Sequence, residues 1–124
     1  MRTLEEIRED LKNIRYYYAR KEYYKNVISV NNIPIKDWKA NINLYVNASK
    51  KAPRRLKDAF EGLYLGNNTQ KQLASQWEVT EKYIQILNKR LIVYLQSILP
   101  DRVLKPIKTI TVKEGKEFTI KWLG

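Results

Sequence analysis

Leu4, Ile7, Leu11, Ile14 and Tyr18 recur in alternating steps of three and four, the spacing of one apolar stripe on an α-helix. Thr3 followed by Glu6 has the form of a capping box, so the helix is expected to begin there. No Gly or Pro intervenes before Pro34, and the helix is expected to reach about Val27, with Glu5 and Glu6 early and Arg15, Arg20, Lys21 and Lys25 late, as its dipole favours. Asn31 to Pro34 reads as a turn. Asp37 is then expected to cap a second helix with an apolar face of Trp38, Ile42, Tyr45 and Val46, ending near Ser49. Pro53 suits the first turn of a third helix presenting Leu56, Ala59, Phe60, Leu63 and Tyr64. Gly66 is expected to end it in a left-handed conformation, with Asn67 and Asn68 in the loop.

Thr69 and Gln72 form a second capping box, which predicts a short helix from Gln70 to about Trp77, and Thr80 is placed to cap another. Glu78 and Val79 leave only a tight turn between them. Counted from the small residue Ala74, apolar residues stand one before (Leu73) and three, five, ten and thirteen after (Trp77, Val79, Ile84, Leu87). That set is what two closely crossing helices with a shared core require, the spacing of a helix-turn-helix. Beyond Leu99, Pro100 and Pro106 rule out a continuous helix. Ile110, Val112, Phe118, Ile120 and Trp122 alternate with polar residues around Glu114-Gly115, which reads as a β-hairpin. Its placement stays open between covering the helices, acting as a wing and adding strands to another subunit. The expected architecture is mainly α: residues 1–50 with the long first helix and a short second one, 51–99 with the helix-turn-helix, and 100–124 with the hairpin.

Charge adds a partner to this picture. Lys and Arg number 24 against 13 Asp and Glu, a formal charge of +11 on 124 residues, so polyanions are the natural ligands. The chain holds neither His nor Cys. Their absence removes the commonest general base, the Ser-His and Cys-His nucleophile pairs and the usual zinc sites, and the acids are scattered. A binding protein without catalytic residues, metal or cofactor is expected. No apolar run approaches the roughly 18 residues of a membrane span, and no export signal is legible at Met1, so a cytoplasmic location is expected. Tyr16, Tyr17, Tyr18, Tyr23 and Tyr24 could stack bases on a single strand. Their helical setting instead favours packing on a neighbouring helix or a second copy of the chain.

The stretch QKQLASQWEVTEKYIQILNKRLIVYLQ resembles the last helix-turn-helix of sigma factors of the extracellular and flagellar type. From the N-terminal tyrosines through APRRLKDAFEGLYLGNNTQKQLA, the chain is similar to small phage regulators of the ArpU and RinA type. The likeness covers residues 4 to 99 by pattern, is strongest from Ala52 to Leu99, and leaves out the hairpin. Such proteins often carry Gly at the turn entrance where this chain has Glu78, a substitution that costs about 1 kcal/mol if φ is positive. The resemblance implies a phage or prophage transcription regulator of late genes, acting in the bacterial host cytoplasm on double-stranded DNA, with RNA polymerase as a further partner. It also implies that the helix from Glu81 enters the major groove and contacts bases with Thr80, Glu81, Lys82, Gln85, Ile86 and Lys89, on the side opposite Ile84, Leu87 and Leu91. Gln85 suits adenine, Lys82 and Lys89 suit guanine or phosphate, and Glu81 suits the cytosine amino group. Thr69, Gln70 and Lys71 would meet phosphates, and Lys50, Lys51, Arg54 and Arg55 form a second phosphate strip. Two alternatives stand beside this reading. One is an oligomeric DNA-packaging protein of the small-terminase kind; the other is a sigma-like module that binds polymerase or another phage or host protein without reading DNA. The subunit count, whether homodimer or higher oligomer, is left open.

Overall fold

The computed structural model describes residues 1–30 and 32–101, together with the backbone of 106–107 and 121–122. Helix α1 (Leu4–Ala19) starts on the expected capping box: Thr3 Oγ1 accepts from the Glu6 amide at 3.0 Å and Glu6 Oε1 accepts from the Thr3 amide at 2.8 Å. Ile7, Leu11 and Ile14 are buried along its stripe. The helix does not reach Val27. It breaks at Arg20 (φ −132°, ψ 39°) and is followed by the single turn α2 (Lys21–Tyr24). The break has a physical cause in three aromatic rings. In a straight helix Tyr17 and Tyr24 would stand about 10 Å apart along the axis, yet their ring centroids lie 5.6 Å apart, both against Trp38 at 5.5 Å and 5.0 Å. Folding the chain back at Arg20 lets both tyrosines share one tryptophan and adds ring contacts that a continuous helix would forgo. Tyr18 is half-buried, and Tyr16 and Tyr23 remain exposed.

Strands β1 (Ser29–Val30) and β2 (Ile33–Pro34) pair antiparallel, Ser29 with Pro34 and Val30 with Ile33, and Asn32 in their turn has φ 67°. Helix α3 (Ile35–Lys50) leaves this hairpin with Pro34 at its cap position and no capping side chain. Asp37 is therefore not the cap but a first-turn residue, because the extended Pro34 (ψ 138°) already ends β2 and the helix starts at the next residue. Its acid still meets the positive end of the helix dipole. Trp38, Ile42, Tyr45, Ala48 and Ser49 are buried on its inner face, while Val46 is half-buried.

Helix α4 (Arg54–Phe60) follows Pro53 and runs without interruption into a π-helical turn, Glu61–Leu65, closed by the Gly66 amide on the Glu61 carbonyl at 2.7 Å. Gly66 keeps a right-handed conformation (φ −87°), contrary to expectation. The left-handed residue is Asn67 (φ 57°), since the wider turn uses Gly66 to close its own bond and reverses the chain one residue later, at an Asn that tolerates the strain. Gly62 has a separate role: a Cβ there would lie 2.6 Å from Leu73 Cδ1, so its absence lets the turn press onto the next helix.

Helix α5 (Gln70–Trp77) begins at the second capping box, with Thr69 and Gln72 bonded reciprocally at 2.9 and 3.0 Å. Helix α6 (Glu81–Ile98) begins where Thr80 Oγ1 accepts from the Tyr83 amide at 3.1 Å. The turn between them holds Glu78 at φ 58°, ψ 45°, and the Val79 amide returns to the Ala74 carbonyl at 3.0 Å. Leu73, Ala74, Ile84 and Leu87 are buried at the crossing; Trp77 and Val79 are half-buried. Helices α1, α4 and α5 all pack on α6, whose Ile84, Leu87, Leu91, Ile92 and Leu95 form the spine of one hydrophobic cluster that draws on every described helix, including the single turn α2 through Tyr24.

A polar knot closes the far end of α6. Arg2, only 3% exposed, donates from Nη1 to Asp10 Oδ2 (3.2 Å) and Asn41 Oδ1 (2.8 Å), and from Nε to the Pro100 carbonyl (3.1 Å). Tyr45 donates to Asp10 Oδ2 at 2.5 Å, Gln96 donates to the Arg2 carbonyl at 3.0 Å, and the Met1 ammonium pairs with Asp101. Beyond it, β3 (Pro106–Ile107) and β4 (Lys121–Trp122) pair antiparallel, Pro106 with Trp122 and Ile107 with Lys121. The expected turn at Glu114-Gly115 lies outside the described residues. The expected strand positions Ile110, Val112, Phe118 and Ile120 lie outside the described residues. Among the described residues no helix is long and apolar enough to cross a membrane.

Candidate nucleic-acid interface

The face of α6 that matters is fixed by what its other face buries. Ile84, Leu87 and Leu91 point into the core, so Lys82, Ile86, Lys89 and Val93, at steps of four, three and four, run down the opposite side. Thr80, Glu81, Lys82, Gln85, Ile86 and Lys89 are all exposed, Ile86 at 40% and the next apolar residue in the row, Val93, at 57%. The helix cannot rotate to hide this row without dismantling the core. Asn88 adds a directional lock that spacing alone does not reveal: its Oδ1 accepts from the Tyr64 hydroxyl at 2.5 Å, tying α6 to the π-helical turn. Burial raises the Tyr64 phenol above its ordinary pKa, opposed by the Asn88 bond and the charge of Arg15, so it serves as a neutral donor.

At the start of α5, Thr69 and Lys71 are exposed, whereas Gln70 is half-buried. The oxygens of Thr69 and Thr80 each accept one capping amide, which leaves the hydroxyl proton and one lone pair for an incoming ligand. Lys50, Lys51, Arg54 and Arg55 are exposed at the α3–α4 junction. Arg55 reaches α5, its guanidinium 4.7 Å from the centroid of the Trp77 ring, which anchors that strip beside the turn at Glu78. Arg54 instead leans toward Asp58 at 3.9 Å, an exposed pair of small energetic weight.

The loop entering α5 is braced from α1. Arg15 donates to Asn67 Oδ1 (3.1 Å) and to the Asn68 carbonyl (3.0 Å), and Asn68 in turn accepts from Gln76 (3.0 Å) and donates to the Gly62 carbonyl (2.9 Å). Sequence reasoning passed over this bracket, because its partners are 52 and 53 residues from Arg15. Among the described residues no group of three or more acidic side chains is arranged to hold a metal ion. The arrangement offers cations, amide and carboxylate side chains and helix N-terminal amides on one rigid pair of helices, a chemistry suited to base edges and phosphates. Comparison with protein-family models, with curated proteins and with solved structures finds nothing that matches this chain.

Proposed function

We propose that this chain is a sequence-specific, double-stranded-DNA-binding regulator of phage or prophage transcription, in which α5 and α6 form a sigma-like helix-turn-helix and α6 lies in the major groove. The observation that carries the reading is the exposed polar side of α6 (Thr80, Glu81, Lys82, Gln85 and Lys89), on a helix whose opposite side is locked into the core. In this reading Gln85 pairs with adenine, Lys82 and Lys89 meet guanine acceptors or phosphates, Glu81 accepts from cytosine, and Ile86 packs on a thymine methyl. The amides and charge of Thr69, Gln70 and Lys71 hold one stretch of backbone, and Lys50, Lys51, Arg54 and Arg55 hold another. Control of late genes and contact with RNA polymerase follow from the family resemblance.

The test begins with selection of bound duplexes from a random pool at stated salt. On the selected site Gln85→Ala is expected to cost about 1 to 3 kcal/mol and relax preference at one base pair. Lys71→Ala should weaken all sequences alike and flatten the salt dependence. Equal losses on selected and random duplexes from both changes would remove base readout. A second reading is favoured by one observation: Ile86 and Val93 stand exposed in the same row as Lys82 and Lys89, as a protein-binding helix would display them. If this row serves a polymerase or another protein, Lys82→Ala and Gln85→Ala leave activity intact while Val93→Asp abolishes it. A packaging role would instead appear in light scattering as a ring of many copies.

A further inference from the structure

The flank of α1 holds an open groove of about 510 Å³ lined by Lys12, Arg15, Tyr16, Ala19, Arg20 and Asn67. Three of the six side chains are cations, and no carboxylate lines it. Among the described residues none of the three cations has an ion-pair partner, whereas Arg2, Lys25 and Arg54 do. The groove is also held in shape. The Arg20 guanidinium lies 3.9 Å from the centre of the Tyr16 ring, and Arg15 is fixed by Asn67 and Asn68. Both restraints lower the side-chain entropy lost when an anion binds.

Position identifies the anion. Asn67 forms the wall of the groove and lies two residues before Thr69, the cap of α5, so their Cα atoms are at most about 7.6 Å apart. The groove therefore adjoins the helix start at which Thr69 and Lys71 are proposed to meet phosphates, and a strand held there would continue onto α1. We infer that the α1 groove is a third backbone-binding surface, in which Lys12, Arg20 and the Tyr16 hydroxyl contact phosphates of the same duplex outside the segment read by α6. This rests on the duplex-binding reading above. Arg15 acts mainly as a positioning residue, because its Nε and Nη2 are directed to Asn67 and Asn68 of the loop.

Phosphate contacts carry no sequence information, so the probe is a mixed-sequence 30-base-pair duplex titrated with salt; its length, about 100 Å, exceeds what the α6 face alone would cover. Each phosphate neutralised contributes about 0.9 to the slope of log affinity against log salt. The double variant Lys12→Ala/Arg20→Ala is expected to lower that slope by about 1.8 and to weaken binding to all sequences by the same factor. Lys12→Arg/Arg20→Lys should restore it, and because both positions are exposed the melting temperature of either variant should stay at the wild-type value. An unchanged slope in the alanine variant, with Lys71→Ala still lowering it, overturns the groove and leaves the duplex reading standing. Absence of salt-dependent duplex binding by the unaltered chain overturns both. Slope loss in the charge-preserving variant equal to that in the alanine variant also overturns the groove, since a requirement for charge alone would then be excluded.

Discussion

The two ends of α6 are held by opposite chemistry. At its N-terminal half Ile84 and Leu87 meet Leu73 and Ala74 in apolar contact, with the Tyr64–Asn88 bond as the directional element. Past its C-terminal half, the closing contacts are Arg2 with Asp10, Asn41 and the Pro100 carbonyl, Tyr45 with Asp10, and Gln96 with the Arg2 carbonyl. Apolar packing is non-directional and tolerates small adjustments, which suits the end proposed to present a face to DNA. The polar knot has one satisfying geometry and joins the chain start to α1, α3 and the segment after α6. It contributes a unique register more than it contributes net stability, since a buried pair recovers in attraction little beyond what its desolvation costs.

The sharpest way to break this contrast is to leave one buried charge without its partner. Asp10→Ala strips Arg2 of its carboxylate and Tyr45 of its acceptor where acid and base are both nearly inaccessible, 6% and 3% exposed. The expected loss is about 3 to 5 kcal/mol in urea unfolding. Replacing the pair together, Arg2→Met with Asp10→Leu, should cost far less, because no uncompensated charge remains. If the single and double changes cost the same, the knot is ordinary packing and the contrast between the two ends fails. Arg2 lies near the chain start and could escape to water in the single variant. Rapid proteolysis before Leu4 would reveal that route.

The two ends also differ in how far they could be read from the chain. The signals that expose the α5–α6 pair are local: Thr69 with Gln72, Thr80 with the amide three residues on, and Ala74 among its spaced apolar neighbours; the Tyr64–Asn88 bond and the Arg15 bracket are not. The exposed row on α6 follows from the same period. The knot has no such signal. Arg2 reaches Pro100 across 98 residues and Tyr45 reaches Asp10 across 35, and an Arg at position 2 beside a first-turn acid cluster has the pattern of a solvated face. The break at Arg20 was hidden for the same reason, because it depends on Trp38, which lies outside any local window. At Asp37 and Gly66 neighbouring geometry overrides the local rule: a Pro already holds the cap position, and a π turn displaces the chain reversal to Asn67.

A smaller change, Tyr45→Phe, sharpens the contrast by pH. Burial first, then the bond to Asp10 and its negative charge, hold the Tyr45 phenol protonated well above its ordinary value near 10. At neutral pH both states keep the proton, so the loss is that of one charge-assisted hydrogen bond, about 2 kcal/mol. Above pH 10 the unfolded chain releases the proton while the folded chain retains it, so stability falls as pH rises through that range. Removing the phenol should make this alkaline decline shallower by up to about 1.4 kcal/mol per pH unit. Tyr18, Tyr24 and Tyr64 are raised as well, so a residual slope remains. A decline of equal steepness in both proteins would show that the knot opens before Tyr45 ionises.

The smallest effect tests the apolar end through its backbone. Glu78 carries a Cβ at φ 58°, ψ 45°, a conformation costing about 1 kcal/mol for a non-glycine residue. Glycine relieves that strain but is freer in the unfolded chain, which offsets part of the gain. Glu78→Gly is therefore expected to add about 0.5 kcal/mol, a rise of roughly 2 to 4 °C in Tm. Loss of the acid changes the charge as well, so Glu78→Ala is the necessary companion: it removes the carboxylate, keeps the Cβ, and should gain nothing from the backbone. The difference between the two variants isolates the strain. A difference of zero would mean that the turn stores none, and that the angle between α5 and α6 is set by packing at Ala74 alone. A positive difference with unchanged duplex affinity would show that the turn can be relaxed without moving the face that α6 presents.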